Sequence, residues 1–382
     1  MWLANLYAKS RSKRELTSPY IIGIILIYTI IFGLRYDVGV DHTAYLKSFL
    51  YLGNHPGVMV FREPLWVGLI TLLHKIDAHY TIFFLLVAFV QILFLCKAFT
   101  IKKNLVPYFF FIFIACGYFL TFQNAMRQAV SFAIMFCVLM RYPDIGFLKY
   151  LAMVAVLFLF HLSAIFLIFL YPLVRYDQLY IRPTWLRAGL FIFAAVIGAT
   201  TNVFDAVVRS DIFLVALDST EYVNYKHNLD MGMERTYGAG YILKCVINLI
   251  LFVNGDNMCR YFKDQKGIKR WFNMYYVGSV IMALFPSSML IARLFDYLTI
   301  WAIPVYSYFA YYIVNTKFKY HSFLKTVGYA SLIGLVALNI NTIFFKPAGM
   351  HSLYHFWTEA PYPGYQYYFQ QEHKEGNDTF IL

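Results

Sequence analysis

Long apolar runs recur along the whole chain, and this recurrence restricts the possible folds more than any other feature of the sequence. Of the 382 residues, 60% are hydrophobic and only 14% are charged, and the mean hydropathy is +0.59. Soluble globular domains do not have this composition, and the apolar residues are not confined to one region. The sequence therefore predicts an all-α fold, a polytopic transmembrane helical bundle.

The apolar runs also predict the topology. A transmembrane helix needs about 20 apolar residues, and the spacing of the runs predicts about eleven crossings. The predicted crossing segments are 20–34, 80–99, 107–120, 129–140, two within 150–173, 186–201, 237–253, 271–285, 294–314 and 326–344. The run 64–76 is too short to cross about 30 Å of hydrocarbon upright, so we predict a re-entrant or interfacial helix that begins at Pro64. We expect a single integral membrane domain, residues 1–382, with the loop 202–235 and the tail 345–382 as accessory elements.

The run 150–173 allows two interpretations. It is interrupted by His161 and Ser163, and basic residues, Lys149 and Arg175, flank both of its ends. This pattern favours a tight pair of short segments with His161 at the turn. A single long, tilted helix is the alternative.

Basic residues are concentrated in one set of loops, and this asymmetry predicts the orientation. The positive-inside rule places the N-terminus in the cytoplasm and the C-terminal tail, with the loop 202–235, on the outside. Basic residues precede the run 20–34 and no small-residue cleavage site follows it, so we predict a retained signal anchor. The net charge of +12 reflects these loops and does not indicate a nucleic-acid partner.

The sequence contains no pattern typical of a metal or cofactor site. The five cysteines lie in apolar runs or on the predicted cytoplasmic side, so we expect neither a disulfide nor a thiolate metal site. The chain has no Gly-rich phosphate loop with a lysine, no HExxH and no GxSxG. We therefore expect no metal and no cofactor.

Arginines at the ends of apolar runs are the strongest sign of a functional site. The stretch 121–128 places Arg127 beside the amides Asn124 and Gln128 at a membrane boundary, and Arg35 and Arg293 have similar positions on the same predicted face. An arginine within a bilayer costs roughly 2.5–3.5 kcal/mol or more. Snorkelling to the interface explains any one of them, but several in one cavity would bind a pyrophosphate bidentately.

Titratable side chains accompany these arginines on the predicted outer face. The carboxylates Asp41 and Glu63 lie near arginines in the sequence, and a carboxylate there can orient a base or accept a proton. Simple charge pairing is the alternative for each. His161 stands within an apolar run, where a packing role competes with a catalytic one.

Taken together, these residues resemble a known family, the EpsG-type members of the Wzy polysaccharide polymerases. The resemblance covers most of residues 20–310 and depends on the order of short motifs. These are Arg35-Tyr36-Asp37-Val38-Gly39-Val40-Asp41 with Tyr45, then Glu63-Pro64-Leu65, Arg127-Gln128, Phe160-His161-Leu162-Ser163-Ala164, and Arg293 with Tyr297. His42 departs from the pattern, so no role is carried over to it.

The resemblance implies a GT-C-like membrane glycosyltransferase. Such an enzyme transfers the growing glycan from undecaprenyl pyrophosphate to a new lipid-linked repeat unit on the outer face of the inner membrane. Implied partners are the lipid-linked glycan donor and acceptor, membrane lipid, a chain-length regulator and a flippase. We expect the pyrophosphate and substrate to be bound by Arg127, Arg293, Arg35, Gln128, Tyr45 and Asn124. The expected base is His161, followed by Asp41 and Glu63.

Two other functions are compatible with parts of this pattern. A lipid-linked oligosaccharide flippase would also carry intramembrane arginines, but an internal repeat is more usual there and none is visible in the sequence. A membrane-bound O-acyltransferase would also place a histidine in an apolar run. Its thioester donor arrives from the cytoplasm, whereas the arginines and carboxylates here are predicted to lie outside.

Overall fold

The computed structural model describes residues 1–11, 15–36, 38–39, 41–54, 63–201, 239–286, 289–316, 322–345 and 355–356. Asp37, Arg62, the loop 202–235 and nearly all of the tail lie outside these ranges. The chain packs as two compact units, which we describe separately: Met1–Phe169 with Asn339–Leu382, and Leu170–Leu338. The single membrane domain stays a prediction.

The first unit is built from helices whose most extensive packing joins elements distant in sequence. They are α1 (Trp2–Lys9), α2 (Pro19–Gly33), α3 (His42–Asn54), α4 (Pro64–Lys75), α5 (Tyr80–Phe99), α6 (Val106–Ala115), α7 (Tyr118–Asn124), α8 (Met126–Arg141) and α9 (Phe147–Phe160), with 3₁₀ segments at Lys103–Leu105 and Leu162–Leu170. The helix α5 packs on both α2 and α8, so it lies at the centre of this unit.

Within its described residues, the second unit consists of helices and the connections between them. Its helices are α10 (Tyr171–Arg175), α11 (Thr184–Thr200), α12 (Ala239–Tyr261), α13 (Ile268–Leu284), α14 (Met289–Thr299), α15 (Ala302–Asn315) and α16 (Ser322–Phe345), the last of which ends in the first unit. Trp271 and Trp301, both buried, stack in its core with ring centroids 6.0 Å apart.

The structure confirms the all-helical prediction and supports membrane insertion. Among the described residues, three helical segments are long and apolar enough to cross a membrane, Tyr80–Phe99, Gly240–Tyr261 and Ala292–Asn315. The pair α6 and α7, bent by 64° at Gly117, makes a fourth if it is one span. Five further apolar helices are shorter, so eleven crossings and the GT-C-like class stay predictions.

The predicted short helix after Glu63 is confirmed as a helix. It begins at Pro64, whose ring suits a first helical position because no intrahelical partner is needed for its missing N–H. It ends at Lys75, close to the predicted end of the apolar run.

The run 150–173 is broken at His161, as the paired interpretation requires. Helix α9 ends at Phe160, and His161 has an extended backbone with φ −154° and ψ 120°. The Tyr150 hydroxyl then donates a hydrogen bond to the Leu167 carbonyl at 2.6 Å. A straight helix would separate residues so far apart in sequence by about 25 Å, so the chain turns back at His161.

Two elements of the first unit were not predicted. Helix α1 lies ahead of the signal-anchor run, with Ala4 and Tyr7 buried and the Lys103 ammonium 5.2 Å from the Tyr7 ring centroid. A two-residue antiparallel pair joins Arg35–Tyr36 to His355–Phe356. This pairing links the backbone just after α2 to the chain near its C-terminal end.

Candidate functional site

The site centres on Glu63, the residue immediately before α4. Its backbone is left-handed, with φ 51° and ψ 59°, and its carbonyl accepts hydrogen bonds from the amides of Trp66 and Val67 at 2.9 and 3.1 Å. A left-handed backbone is costly for a residue with a side chain and persists where surrounding contacts hold it. The side chain of Glu63 makes such contacts.

The Glu63 carboxylate bridges two cationic or titratable side chains that are distant in sequence. Its Oε2 accepts a hydrogen bond from Nη1 of Arg127 at 2.6 Å, and its Oε1 lies 2.7 Å from Nδ1 of His161. The amide of Leu162 also donates to Oε1, at 3.3 Å. The three sequence-predicted residues therefore form one cluster, which we call the Glu63 cluster.

Exposure differs sharply within the Glu63 cluster. The Glu63 side chain is 7% exposed, whereas that of His161 is 20% exposed and that of Arg127 is 42% exposed. Arg127 and His161 can thus meet a substrate, while Glu63 lies beneath them with both oxygens engaged. Among the described residues, the second ring nitrogen of His161, Nε2, has no hydrogen-bond partner.

The cluster keeps Glu63 ionised. Burial by itself would raise the pKa of the Glu63 carboxyl, but the hydrogen bond from His161 and the charge of Arg127 outweigh burial and hold that pKa below its ordinary value. Glu63 is therefore an anion beneath Arg127 and His161 at physiological pH.

Tyr45 of α3 completes the surroundings of Arg127. The Arg127 guanidinium carbon lies 5.8 Å from the centroid of the buried Tyr45 ring, within the range of a cation–π contact. Tyr45 in turn packs edge-on against Trp66 of α4, with centroids 5.7 Å apart. This packing makes Tyr45 a support for the arginine.

A break between α7 and α8 at Ala125 places Arg127 at the start of a helix. The carbonyls at the end of α7 need partners because the helix does not continue. The Gln91 amide of α5 donates to the carbonyls of Phe122 and Met126, both at 3.2 Å. Arg35 donates to the Gln123 carbonyl at 2.7 Å. We call these contacts the Ala125 clasp.

The guanidinium of Arg35 is therefore bound to groups of the protein. Arg35 is 2% exposed, its Nη1 also donates to the Phe32 carbonyl at 3.0 Å, and its guanidinium carbon lies 5.3 Å from the Phe84 ring centroid. The sequence grouped Arg35 with Arg127 as a pyrophosphate ligand. In the structure the two arginines have different environments, and only Arg127 of the pair reaches the surface.

Asp41 and Asn124 meet at the start of α3. The Asn124 side-chain oxygen accepts a hydrogen bond from the Asp41 amide at 3.0 Å. Gly39 is left-handed there, with φ 95°, and a Cβ added to it would lie 3.2 Å from the same oxygen, so a larger residue would crowd this contact. Gln128 follows Arg127 on α8, and its side chain is buried.

His42 has a packing role. It is buried, and it stacks on Phe84 with centroids 4.9 Å apart. Burial, together with the nearby charge of Arg35, lowers the pKa of His42 to about 3, so the ring is neutral at physiological pH.

Arg293 lies in the second unit, on α14, and its side chain is exposed. Three residues later, the Asp296 carboxylate accepts a hydrogen bond from the Thr299 hydroxyl at 3.1 Å. The grouping of Arg293 with Arg127 stays a prediction. Within the described residues, no group of histidine, cysteine, aspartate and glutamate side chains is arranged to hold a metal ion.

The supporting role of Gln91 was not predicted from the sequence, although the sequence contains an indication of it. Gln91 is an amide in the middle of the apolar run 80–99, and its oxygen also accepts a hydrogen bond from the Tyr28 hydroxyl at 3.1 Å. Polar side chains inside membrane helices commonly bond neighbouring helices, so the same reasoning applied to His161 would have selected it.

Comparison with known proteins identifies a family. No curated protein and no solved structure matches the chain. The model of the EpsG family matches residues 20–377, nearly the whole sequence, including the tail beyond the motifs considered above. That family is associated with polysaccharide polymerases. Because this match covers nearly the whole chain, the chain belongs to the EpsG family.

Proposed function

We propose that this protein is a glycosyltransferase that polymerises undecaprenyl-pyrophosphate-linked oligosaccharide repeat units into O-antigen, capsule or exopolysaccharide. Membership of a family associated with polysaccharide polymerases supports the reaction class. The observation that carries the proposal is the Glu63 carboxylate, which contacts both Arg127 and His161. It puts a candidate base and a phosphate-binding cation beside one another.

The proposed reaction is a displacement at an anomeric carbon. A hydroxyl of the incoming lipid-linked unit attacks that carbon, a new glycosidic C–O bond forms, and the bond from the anomeric carbon to the phosphate oxygen breaks. The electron pair of the broken bond leaves with undecaprenyl pyrophosphate. The hydroxyl proton goes to Nε2 of His161, and Glu63 stabilises the resulting imidazolium through Nδ1.

In this proposal the negative charge that develops on the leaving pyrophosphate is stabilised by Arg127. A guanidinium can donate to two phosphate oxygens at once, and its Nη1 contact with Glu63 leaves other N–H groups for the ligand. We expect Arg293 to assist and the reaction to need no metal ion. Arg35 and Asn124 then position the backbone near Arg127, and Asp41 ranks behind His161 as the base.

The proposed location is the periplasmic face of the bacterial inner membrane. The donor and acceptor are both lipid-linked, so they approach through the membrane from a flippase of the same pathway, and a chain-length regulator limits extension. The identity of the sugars would be determined by the outer loops.

The proposal can be tested by reconstituting the reaction. Undecaprenyl-pyrophosphate-linked repeat units are isolated from the producing strain after deletion of this gene, then incubated with purified protein in excess EDTA without nucleotide sugar. We expect a ladder of products spaced by one repeat unit. Arg127→Ala should lower the rate about 10²–10³-fold, the range for removing one charge-stabilising group. His161→Ala and His161→Gln should both lower it about 10²–10⁴-fold.

Arg175→Ala is a matched control, because Arg175 is an exposed arginine at the end of α10. It should polymerise at the wild-type rate. Substantial activity in His161→Gln would show that the ring only packs or hydrogen-bonds, and would remove His161 as the base. A wild-type protein that makes no ladder but moves the lipid-linked unit across vesicle membranes would instead be a flippase.

A further inference from the structure

A basic cleft lies in the second unit, where α12 ends and α13 begins. It encloses about 400 Å³, within the range of small-ligand sites. Its lining residues are Leu179, Asp256, Cys259, Arg260, Lys263 and Lys269. Three of these are basic and one is acidic, and we call this site the α12–α13 cleft.

The single carboxylate that lines the α12–α13 cleft, Asp256, is paired with a buried arginine. Asp256 forms a bidentate ion pair with the buried Arg187, with Nη2 to Oδ2 at 2.5 Å and Nη1 to Oδ1 at 3.3 Å. The Thr184 hydroxyl donates to the same Oδ2 at 2.8 Å. The ion pair with Arg187 offsets the charge of Asp256, so the side chains of Arg260, Lys263 and Lys269 leave the cleft with a net positive charge.

An exposed apolar surface leads directly to this cleft. Ile242, Val246 and Val253 of α12 are 59%, 45% and 41% exposed. Arg260 follows Val253 by seven residues, close to two helical turns, so it continues the same face of α12. The helix segment Gly240–Tyr261 is one of the candidate spans, and 44% of its most apolar window is buried within the described protein.

The geometry points to a bound anionic phospholipid. We propose that its phosphodiester occupies the α12–α13 cleft against Arg260, Lys263 and Lys269, and that its acyl chains extend along α12 past Val253, within one leaflet of the bilayer. The exposed Tyr261 lies at the same end of α12, a position where aromatic rings commonly mark the level of the lipid headgroups. Charge and apolar surface each favour this occupant, and neither depends on the polymerase proposal.

Native mass spectrometry of the purified full chain would test this site, with phosphatidylglycerol and phosphatidylcholine titrated separately. We expect phosphatidylglycerol to bind more tightly and to remain bound in excess inorganic pyrophosphate. Removal of each basic residue should weaken binding about five-fold, so Lys263→Ala combined with Lys269→Ala should weaken it about 25-fold.

Lys266→Ala provides a matched control. Lys266 is an exposed lysine on the same connection but does not line the cleft, so the substitution should leave the affinity unchanged. Equal binding of the two lipids by the wild-type protein would overturn the proposal. Equal losses of phosphatidylglycerol affinity in Lys266→Ala and in the double variant would also overturn it. Displacement by inorganic pyrophosphate would show that the cleft holds soluble phosphates and would overturn the lipid assignment. If the double variant does not purify, the wild-type comparison of headgroups decides the question.

Discussion

Glu63 combines a left-handed backbone, near-complete burial and contacts to two side chains that can carry positive charge. Because both of its oxygens are engaged, it acts in our proposal as a positioning residue rather than as the base. It orients Nδ1 of His161 toward itself, which leaves Nε2 for the substrate. The same carboxylate holds Arg127, so one residue aligns both proposed reacting groups.

Replacing Glu63 with glutamine should test this positioning role. Glu63→Gln keeps the size of the side chain but removes the negative charge that stabilises imidazolium and orients Arg127. We expect kcat for polymerisation to fall about 10²–10⁴-fold while KM for the acceptor changes little. Glu63→Asp should recover part of the loss. A rise in KM with unchanged kcat would instead assign Glu63 to substrate binding.

The same variant should change the acid stability of the protein. The folded-state pKa of Glu63 is below its ordinary value of 4.5, so its ionised form stabilises the fold fully above that pH. This contribution is lost as the pH falls through the lowered folded-state pKa. Melting temperatures measured below about pH 4.5 should therefore decline less steeply in Glu63→Gln than in the wild type.

At the scale of elements, the Ala125 clasp determines where Arg127 points. Helix α8 begins directly after the break. At the end of α7, the carbonyls of Phe122 and Gln123 accept hydrogen bonds from Gln91 of α5 and from Arg35, which follows α2. Gln91 contacts three groups at once, the Tyr28 hydroxyl and the carbonyls of Phe122 and Met126. The bend of 64° between α6 and α7 lies just ahead of this region.

Gln91→Leu should loosen the clasp. It removes the donor to the Phe122 carbonyl and the acceptor of the Tyr28 hydroxyl, both buried, and each buried polar group left without a partner costs about 1–3 kcal/mol. We expect a lower melting temperature together with reduced polymerisation. Ser131→Ala, which removes a single long hydrogen bond of 3.4 Å from buried α8, is the control and should have a smaller effect. Equal melting temperatures of Gln91→Leu and the wild type would show that these hydrogen bonds contribute little to the stability of the fold.

At the scale of the whole molecule, the distribution of charge predicts the orientation in the membrane. We expect the N-terminus and the basic connection between α12 and α13 in the cytoplasm, and the C-terminal tail in the periplasm. The Glu63 cluster would then face the periplasm, where our proposal places the polymerisation.

Reporter fusions would test this orientation. Alkaline phosphatase fused after residue 382 should be active and green fluorescent protein at the same place dark, whereas fusions inserted at Lys266 should give the opposite pattern. Active phosphatase at Lys266 would show that the predicted orientation is wrong and that the chain is inserted the opposite way. That outcome would favour an enzyme with a cytoplasmic donor, such as the O-acyltransferase alternative.

The helical class followed from the sequence because long apolar runs are a local property. The run 80–99 corresponds to α5, and Pro64 marks the start of α4, since proline restricts its own backbone wherever it occurs. The turn at His161 was one of two interpretations, because the flanking charges suit a pair of segments but do not exclude a tilted helix. The resemblance to the EpsG-type polymerases selected Glu63, Arg127 and His161 together.

The tertiary structure alone decided how these residues pair. Glu63 is 64 residues from Arg127 and 98 from His161, and contacts over such separations depend on how helices pack rather than on local pattern. For the same reason the sequence could not distinguish Arg35 from Arg127. Both arginines end apolar runs, but packing buries Arg35 against backbone carbonyls and leaves Arg127 at the surface beside a buried carboxylate.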